Sequence, residues 1–236
     1  MSMNIPRHVL IIPDGNRRWA RARKKFPHLG HLEGARISGK VLEEALNLGI
    51  PAVTIWGASV NNITRRSSME VSFLFQVFKT YFTKLLKSQD VKKHDVRIRV
   101  LGRWKELLPK PVCAVIQKCI DSTTTHTGRS FTILLAYNGK DEMRDTIMRI
   151  AAEQREHPRM KIDDENIKKH LWTKDLPPVD LVIRTGGEPH LSTGVMMWDI
   201  AEARLYFTET LWPDFSPEEF KKAIEEYARM EKREGA

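Results

Sequence analysis

The stretch HVLIIPDGNRRWARAR, His8 to Arg23, decides how the chain is read. Five apolar or nearly apolar residues run into Pro13 and then, without transition, into Asp14, Gly15, Asn16, Arg17 and Arg18. An unbroken apolar run of this length reads as a strand covered on both faces. Its abrupt end in an acid, a glycine and paired arginines places charge at the edge of a sheet, where something anionic is expected to meet it.

Working outward, short β-rich runs recur at 52–59, 96–102, 130–138, 179–185 and 205–210, separated by longer helical patterns. This alternation predicts an α/β fold, a mainly parallel central sheet with helices on both faces. One such pattern, GARISGKVLEEALNLGI, carries Ile37, Val41, Leu42, Ala45 and Leu46 at helical spacing and stops at Gly49. Another, residues 67–88, opens with a serine cap and Glu70 and is apolar well beyond one stripe, through Phe73, Phe75, Val77 and Tyr81. A helix of that kind is either deeply buried or divided between the core and an apolar cavity. The segment from Glu218 to Ala236 reads as an amphipathic, charged terminal helix whose last residues, about ten, fray. The expectation is a single domain over residues 1–236.

Hydrophobic residues at 41% and charged residues at 29% are those of an ordinary globular protein. The formal net charge of +9 predicts an anionic partner or substrate, or simply a basic solvated surface. Cys113 and Cys119 are spaced for neither a zinc cluster nor a disulfide framework and read as buried thiols. No signal peptide or bilayer-spanning run is evident, so a cytoplasmic location is expected.

Ligands of open α/β sheets sit beyond the carboxyl ends of the strands. There the chain offers Asp14 to Trp19, then Ser59, Asn62 and Arg65, then Asn138 and Gly139, and finally RTGGEPHLS, 184–192. Glycines let backbone N–H groups approach an anion, and arginines match phosphate oxygens. An acid among them, Asp14, repels phosphate unless a divalent cation lies between. The combination points to a magnesium-assisted diphosphate site. Neither a Walker loop nor a dinucleotide fingerprint is present.

HVLIIPDGNRRWA closely resembles the opening motif of the cis-prenyltransferases, the family of undecaprenyl and dehydrodolichyl diphosphate synthases. The resemblance continues through GHLEGA (30–35), ASVNNITR (58–65), LLAYNGKDE (134–142), PVDLVIRTGGE (178–188) and LYFTETLWPDF (205–215), in the family's order. It implies a homodimeric α/β enzyme with an apolar tunnel, which condenses an allylic diphosphate with isopentenyl diphosphate and needs Mg2+. Peripheral contact with a membrane is part of that expectation, and specific nucleic-acid binding is not. Carried over by motif, Asp14 would hold magnesium, and His31 and Asn62 would join it as catalytic residues. Gly15, Asn16, Arg17, Arg18, Trp19, Ser59 and Arg65 would bind the allylic diphosphate, and Arg184, His190, Ser192 and Arg204 the acceptor diphosphate. The growing chain gives the apolar helix 67–88 a second use as a tunnel wall.

The chain also departs from the family pattern. Pro27 stands where an arginine is usual, Pro189-His190 where a His-Arg pair is usual, and Arg204 where a glutamate is usual. These positions bind phosphate or metal in the family, so two alternatives accompany the leading reading. One is the same fold with a different acceptor, either a second allylic diphosphate joined head to middle or another molecule. The other is a subunit of a heteromeric enzyme.

Overall fold

The computed structural model describes residues 4–229. The strands are β1 (His8–Ile12), β2 (Ala52–Ser59), β3 (Val96–Leu101), β4 (Arg129–Tyr137), β5 (Leu181–Arg184) and β6 (Arg204–Phe207). They form one sheet in the order β3-β4-β2-β1-β5-β6, with every pairing parallel. The six sequence-predicted strands are all present, within one to three residues at their ends. β1 and β5 are buried at every position, as strands covered on both faces must be, whereas β6 at the edge alternates between half-buried and exposed.

Around the sheet run α1 (Asn16–Ala22), α2 (Pro27–Asn47), α3 (Val60–Thr64), α4 (Ser68–Lys87), α5 (Gln89–Lys93), α6 (Trp104–Leu107), α7 (Lys110–Asp121), α8 (Gly139–Glu156), α9 (Asp164–His170) and α10 (Pro217–Arg229). On one face Val9, Ile11, Val53, Ile55 and Ile183 meet the apolar stripes of α2, α4, α7 and α10. On the other, Leu10, Ile12, Leu134 and Val182 meet Leu176, Val179, Val195 and Met196. The alternation of β1 between these two cores is the period-two geometry of a strand.

α2 begins at Pro27, seven residues before the pattern that predicts it, because proline suits the first helical position, where no amide donor is needed. α4 starts as expected, with the Ser67 hydroxyl accepting the Glu70 amide at 3.3 Å. Leu74, Phe78, Phe82 and Leu85 of α4 are buried, each contributing roughly 1.5–3 kcal/mol. Val71 and Phe75 pack half-buried against the same core, so burial accounts for most of the apolar circumference of α4. Val77 and Tyr81 line a cleft facing α2, Tyr81 also packing against the core. Cys113 and Cys119 lie on α7 as free thiols, the first half-buried and the second buried. The expected fraying at the C-terminus concerns residues beyond Arg229, outside the described part.

Strand order reverses at β1, which pairs with β2 on one side and β5 on the other. In an open parallel sheet that switch point leaves a crevice at the carboxyl ends. Ile12 pairs with Arg184, so Asp14 and Arg184 emerge into it side by side.

Candidate active site

A basin of about 410 Å³ opens at this switch point. Asp14 is the sole carboxylate in its lining, against Arg17, Arg18, Arg21, Arg66 and Arg184. Arg184 is almost fully buried and its partners fix its orientation. It donates to Asp14 Oδ2 at 2.9 Å, to Ser192 Oγ at 2.7 Å and to the His190 carbonyl at 2.7 Å. A buried guanidinium is tolerable only with such partners. Asp14 is held equally firmly. Its Oδ1 accepts the Gly15 amide at 2.5 Å, while the Thr185 hydroxyl accepts the Asp14 amide and donates to the Asp14 carbonyl, each at 2.9 Å. Arg18 reaches Asp14 at 3.4 Å and Glu188 at 4.0 Å. Gly186, at φ +89°, permits this approach, since a Cβ there would lie 2.6 Å from the Arg18 guanidinium.

The wall opposite is made by His31 and Arg66, with Glu70 paired to them outside the lining. Arg66 donates to Glu70 at 2.9 Å and to His31 Nε2 at 3.1 Å. Burial, and next the Arg66 cation, holds the His31 ring down at about 4, so it is neutral at pH 7 and accepts at Nε2. The unfolded chain, with its ordinary histidine value of 6.5, takes up this proton first as pH falls. Stability from His31 is therefore intact above about pH 6.5 and lost progressively between there and about 4, by about 2 kcal/mol at pH 5. Urea unfolding at pH 7.5 and pH 5 checks this. His31→Gln is expected to lose about 2 kcal/mol less over that interval than the native chain; equal losses would show that His31 protonates freely within the fold.

The first turn of α1 is seated against α2 by two glycines. A Cβ at Gly30 would lie 2.0 Å from the Asn16 carbonyl oxygen, and one at Gly34 would lie 2.3 Å from Asn16 Oδ1 and 2.9 Å from Trp212. The GHLEG motif is thus a close-packing device that lets Asn16 and the following arginines face the basin. On the opposite side of the sheet, the Tyr137 hydroxyl accepts the Met196 amide at 3.0 Å and donates to buried Glu142, which in turn accepts the Thr173 amide at 3.0 Å. Burial raises the Glu142 carboxyl and the Tyr137 phenol above their ordinary values. This network anchors the segment that carries Ser192.

Of the sequence-predicted residues, the basin gathers Asp14, Gly15, Asn16, Arg17, Arg18, His31, Asn62, Arg184 and Ser192, with His190 exposed at its rim. Four others lie elsewhere. Trp19 is buried on the far face of α1, its indole donating to Asp214 at 2.7 Å. Ser59 caps α3 in a reciprocal pair with Asn62. Arg65 is exposed at the end of α3, and it is Arg66 that enters the basin. Arg204 stacks over Tyr227 at 5.3 Å and donates to the Tyr227 carbonyl at 3.4 Å. Because Arg204 pairs with Leu181 and Arg184 with Phe207, Arg204 sits three residues, about 10 Å, upstream of the basin. Arg66 and Glu70 join the site without having been placed in it by the sequence, and Thr185 and Glu188 fall within the predicted 184–192 stretch without an assigned role. The i,i+4 spacing of Arg66 and Glu70 was the available signal.

Pro13, Asn16, His31, Gly57 and Leu74 are shared between the basin and an apolar crevice of about 70 Å³. Ala35, Val77 and Tyr81 are shared between that crevice and a cleft of about 750 Å³ between α2 and α4. The expected tunnel is not an open passage, since the middle space is the volume of roughly two waters.

No group of three His, Cys, Asp or Glu side chains converges among the described residues. Magnesium is nevertheless compatible with Asp14, whose carboxylate is about one-third exposed toward the basin. This ion commonly binds one or two carboxylates and completes its shell with substrate phosphates and water.

A parallel sheet with an arginine-rich basin at its switch point forms a site suited to an anionic group beside an apolar space. A family model described as putative undecaprenyl diphosphate synthase matches residues 12–235. The chain is 36% identical to a tritrans,polycis-undecaprenyl-diphosphate synthase (geranylgeranyl-diphosphate specific) of Thermococcus kodakarensis, over 99% of this chain and 88% of that one. It is also 36% identical to an isoprenyl transferase of Fusobacterium nucleatum, over 100% and 98%. The crystal structure of lavandulyl diphosphate synthase from Lavandula x intermedia in complex with dimethylallyl diphosphate superposes with a TM-score of 0.87 at 30% identity, covering 96% of this chain and 97% of that one. The chain belongs to the cis-prenyltransferase family and is a prenyltransferase.

Proposed function

We propose that this chain condenses an allylic diphosphate with isopentenyl diphosphate to give a Z-polyprenyl diphosphate, a precursor of glycosyl carrier lipid. The observation that carries this reading is the shared lining of the cationic basin and the apolar spaces between α2 and α4, because the substrate has one highly charged end and one hydrocarbon end.

Arg17, Arg18 and the backbone around Gly15 and Asn16 bind the allylic diphosphate and stabilise the charge that develops on its oxygens as the C–O bond breaks. Asp14 would hold magnesium, which supplies Lewis-acid stabilisation of the departing diphosphate. Neutral His31 and Asn62 flank the reacting carbons. Arg184, braced by Asp14 and Ser192, grips the acceptor diphosphate with His190 at the rim. The tail enters the crevice and pushes α2 and α4 apart. A homodimer in the cytoplasm, with each chain a single catalytic domain, completes the reading.

The likeness to a synthase bound to dimethylallyl diphosphate supports a second reading, in which the acceptor is another allylic diphosphate. One experiment separates the two: radiolabelled isopentenyl diphosphate is supplied with dimethylallyl, geranyl, farnesyl or geranylgeranyl diphosphate, and the products are resolved by length and double-bond geometry. Labelled Z products several units long are expected. Product formed from allylic diphosphate alone would replace the first reading with the second.

A further inference from the structure

β2 lies inside the sheet, between β4 and β1, and is buried along its length except at Trp56, which is half-buried, and Gly57, which is exposed. A strand covered on both faces opens only where a cavity reaches it, and both residues line the basin. The pairing with β4 shifts here. Trp56 pairs with Leu134 and Ala58 with Leu135, which leaves Gly57 as the extra residue of a bulge. Bulges beside active sites re-aim side chains. A Cβ at Gly57 would lie 2.8 Å from Leu135 and 3.4 Å from Ile133, on the face that holds the apolar crevice. Trp56 packs on the opposite face, in the core that also takes Leu134 and Leu191.

Two further observations define what Trp56 offers. Because Ile11 pairs with Ile55 and Ile12 with Arg184, the row that follows carries Trp56, Ile12 and Arg184 on one face. Trp56 thus stands two strand spacings, about 10 Å, from Arg184. Its indole Nε1 is buried and has no hydrogen-bond partner among the described residues, so the surface left for the basin is carbon rather than a donor. Trp56 is also the one Phe, Tyr or Trp in a lining that holds five arginines, which disfavour any positive charge formed on carbon nearby.

We propose that the Trp56 ring is a catalytic group that stabilises, through its π electrons, the carbocation formed on the acceptor. As C1 of the allylic chain bonds to the terminal alkene carbon of isopentenyl diphosphate, positive charge moves to C3 of the acceptor. A proton then leaves C2 for the released diphosphate, and the C–H electron pair becomes the new double bond. Trp56 shares its row with the arginine that grips the acceptor diphosphate, so its ring stands on the side where this charge develops. Tryptophan is the strongest aromatic partner of a cation, and exclusion of water strengthens the attraction. The inference rests on the reading of the basin as the place where isopentenyl diphosphate is condensed.

Single-turnover rates of the first condensation test it, with the tryptophan at position 56 alone replaced by monofluoro-, difluoro- and trifluorotryptophan. Fluorine withdraws electron density from the ring with little change in size. The rate is expected to fall stepwise, about tenfold over the series, while the melting temperature and the acceptor KM stay nearly unchanged. Trp56→Phe, which keeps an aromatic ring, should lose less than Trp56→Leu. The same analogues at Trp104, whose indole donates to the Val100 carbonyl at 3.2 Å and does not line the basin, should leave the rate as it is. A flat rate across the position-56 series, an equal decline at Trp104, or a native rate in Trp56→Leu would overturn this inference and leave the proposed function standing. No condensation by the native chain would overturn both.

Discussion

Asp14→Asn is expected to lower kcat by about a thousandfold with little change in thermal stability. The reasoning starts from charge. Asp14 is the one carboxylate lining the basin, among five arginines, and without a bridging cation it repels the diphosphate that those arginines attract. Two unit charges 5 Å apart at an effective dielectric of 20 interact by about 3 kcal/mol. If Asp14 served only to orient Arg184, asparagine would do so nearly as well and would bind diphosphate more tightly. If it holds magnesium, asparagine removes the ligand and turnover collapses. The two roles separate in one pair of measurements, kcat with magnesium and diphosphate affinity without it. Affinity without magnesium should rise while kcat falls. The fold should persist, because Arg184 keeps Ser192, the His190 carbonyl and Glu188 as partners. Retention of most of the activity would remove Asp14 from the metal role.

What was legible in the sequence follows from the range of the forces involved. β1 and Asp14 could be read because local patterning alone decides them: an apolar run must be covered, and an acid at its end must lie at the sheet edge. α4 was equally legible, since its serine cap and apolar spacing are contained in its own residues. Trp19 was not, because its place is set by Asp214, 195 positions away, and its position between arginines suggested the basin instead. Arg65 and Arg66 are indistinguishable by type. The difference arises from the short helix α3, which ends at Arg65 and leaves it in solvent, after which the chain turns Arg66 inward toward Glu70 on α4.

Arg204 and Pro27 show the same limit from the side of the resemblance. Each stands where the family has a different residue, which drew attention to diphosphate binding. In the structure Pro27 starts α2, and Arg204 packs on Tyr227 of α10 at the opposite end of its strand from Arg184. An edge strand sends alternate residues to opposite faces, so Arg204 and Tyr206 share one face while Leu205 and Phe207 occupy the other. Which face meets α10 is settled by helix packing, and nothing within LYFT encodes it. Position in a motif therefore identified the neighbourhood of the basin more reliably than the direction of individual side chains.

Ala35→Leu is expected to shorten the product sharply, and Gly39→Leu to shorten it less. Ala35 lines both the crevice next to the basin and the outer cleft, and leucine adds three carbon atoms to a space of about 70 Å³. Gly39 lines only the outer cleft and has nothing within 4 Å of the place where a Cβ would stand. It lies one turn farther along α2, about 6 Å from Ala35 along the axis. A growing hydrocarbon that threads between α2 and α4 meets the leucine at 35 first and the leucine at 39 later, so the two variants should stop elongation at different lengths. Leucine is also a better helix former than glycine by about 0.5–1 kcal/mol, so Gly39→Leu should raise stability while it cuts the product. Those opposite signs separate blockage from misfolding. Val71→Phe supplies the converse, because Val71 packs against the core and lines none of the three spaces, and its replacement should change stability without changing product length. Resolving the labelled products of the three variants by chain length decides the matter. If Ala35→Leu and Gly39→Leu gave the native product distribution, the hydrocarbon would have to leave the basin by another route, and the space between α2 and α4 would have no part in setting product length.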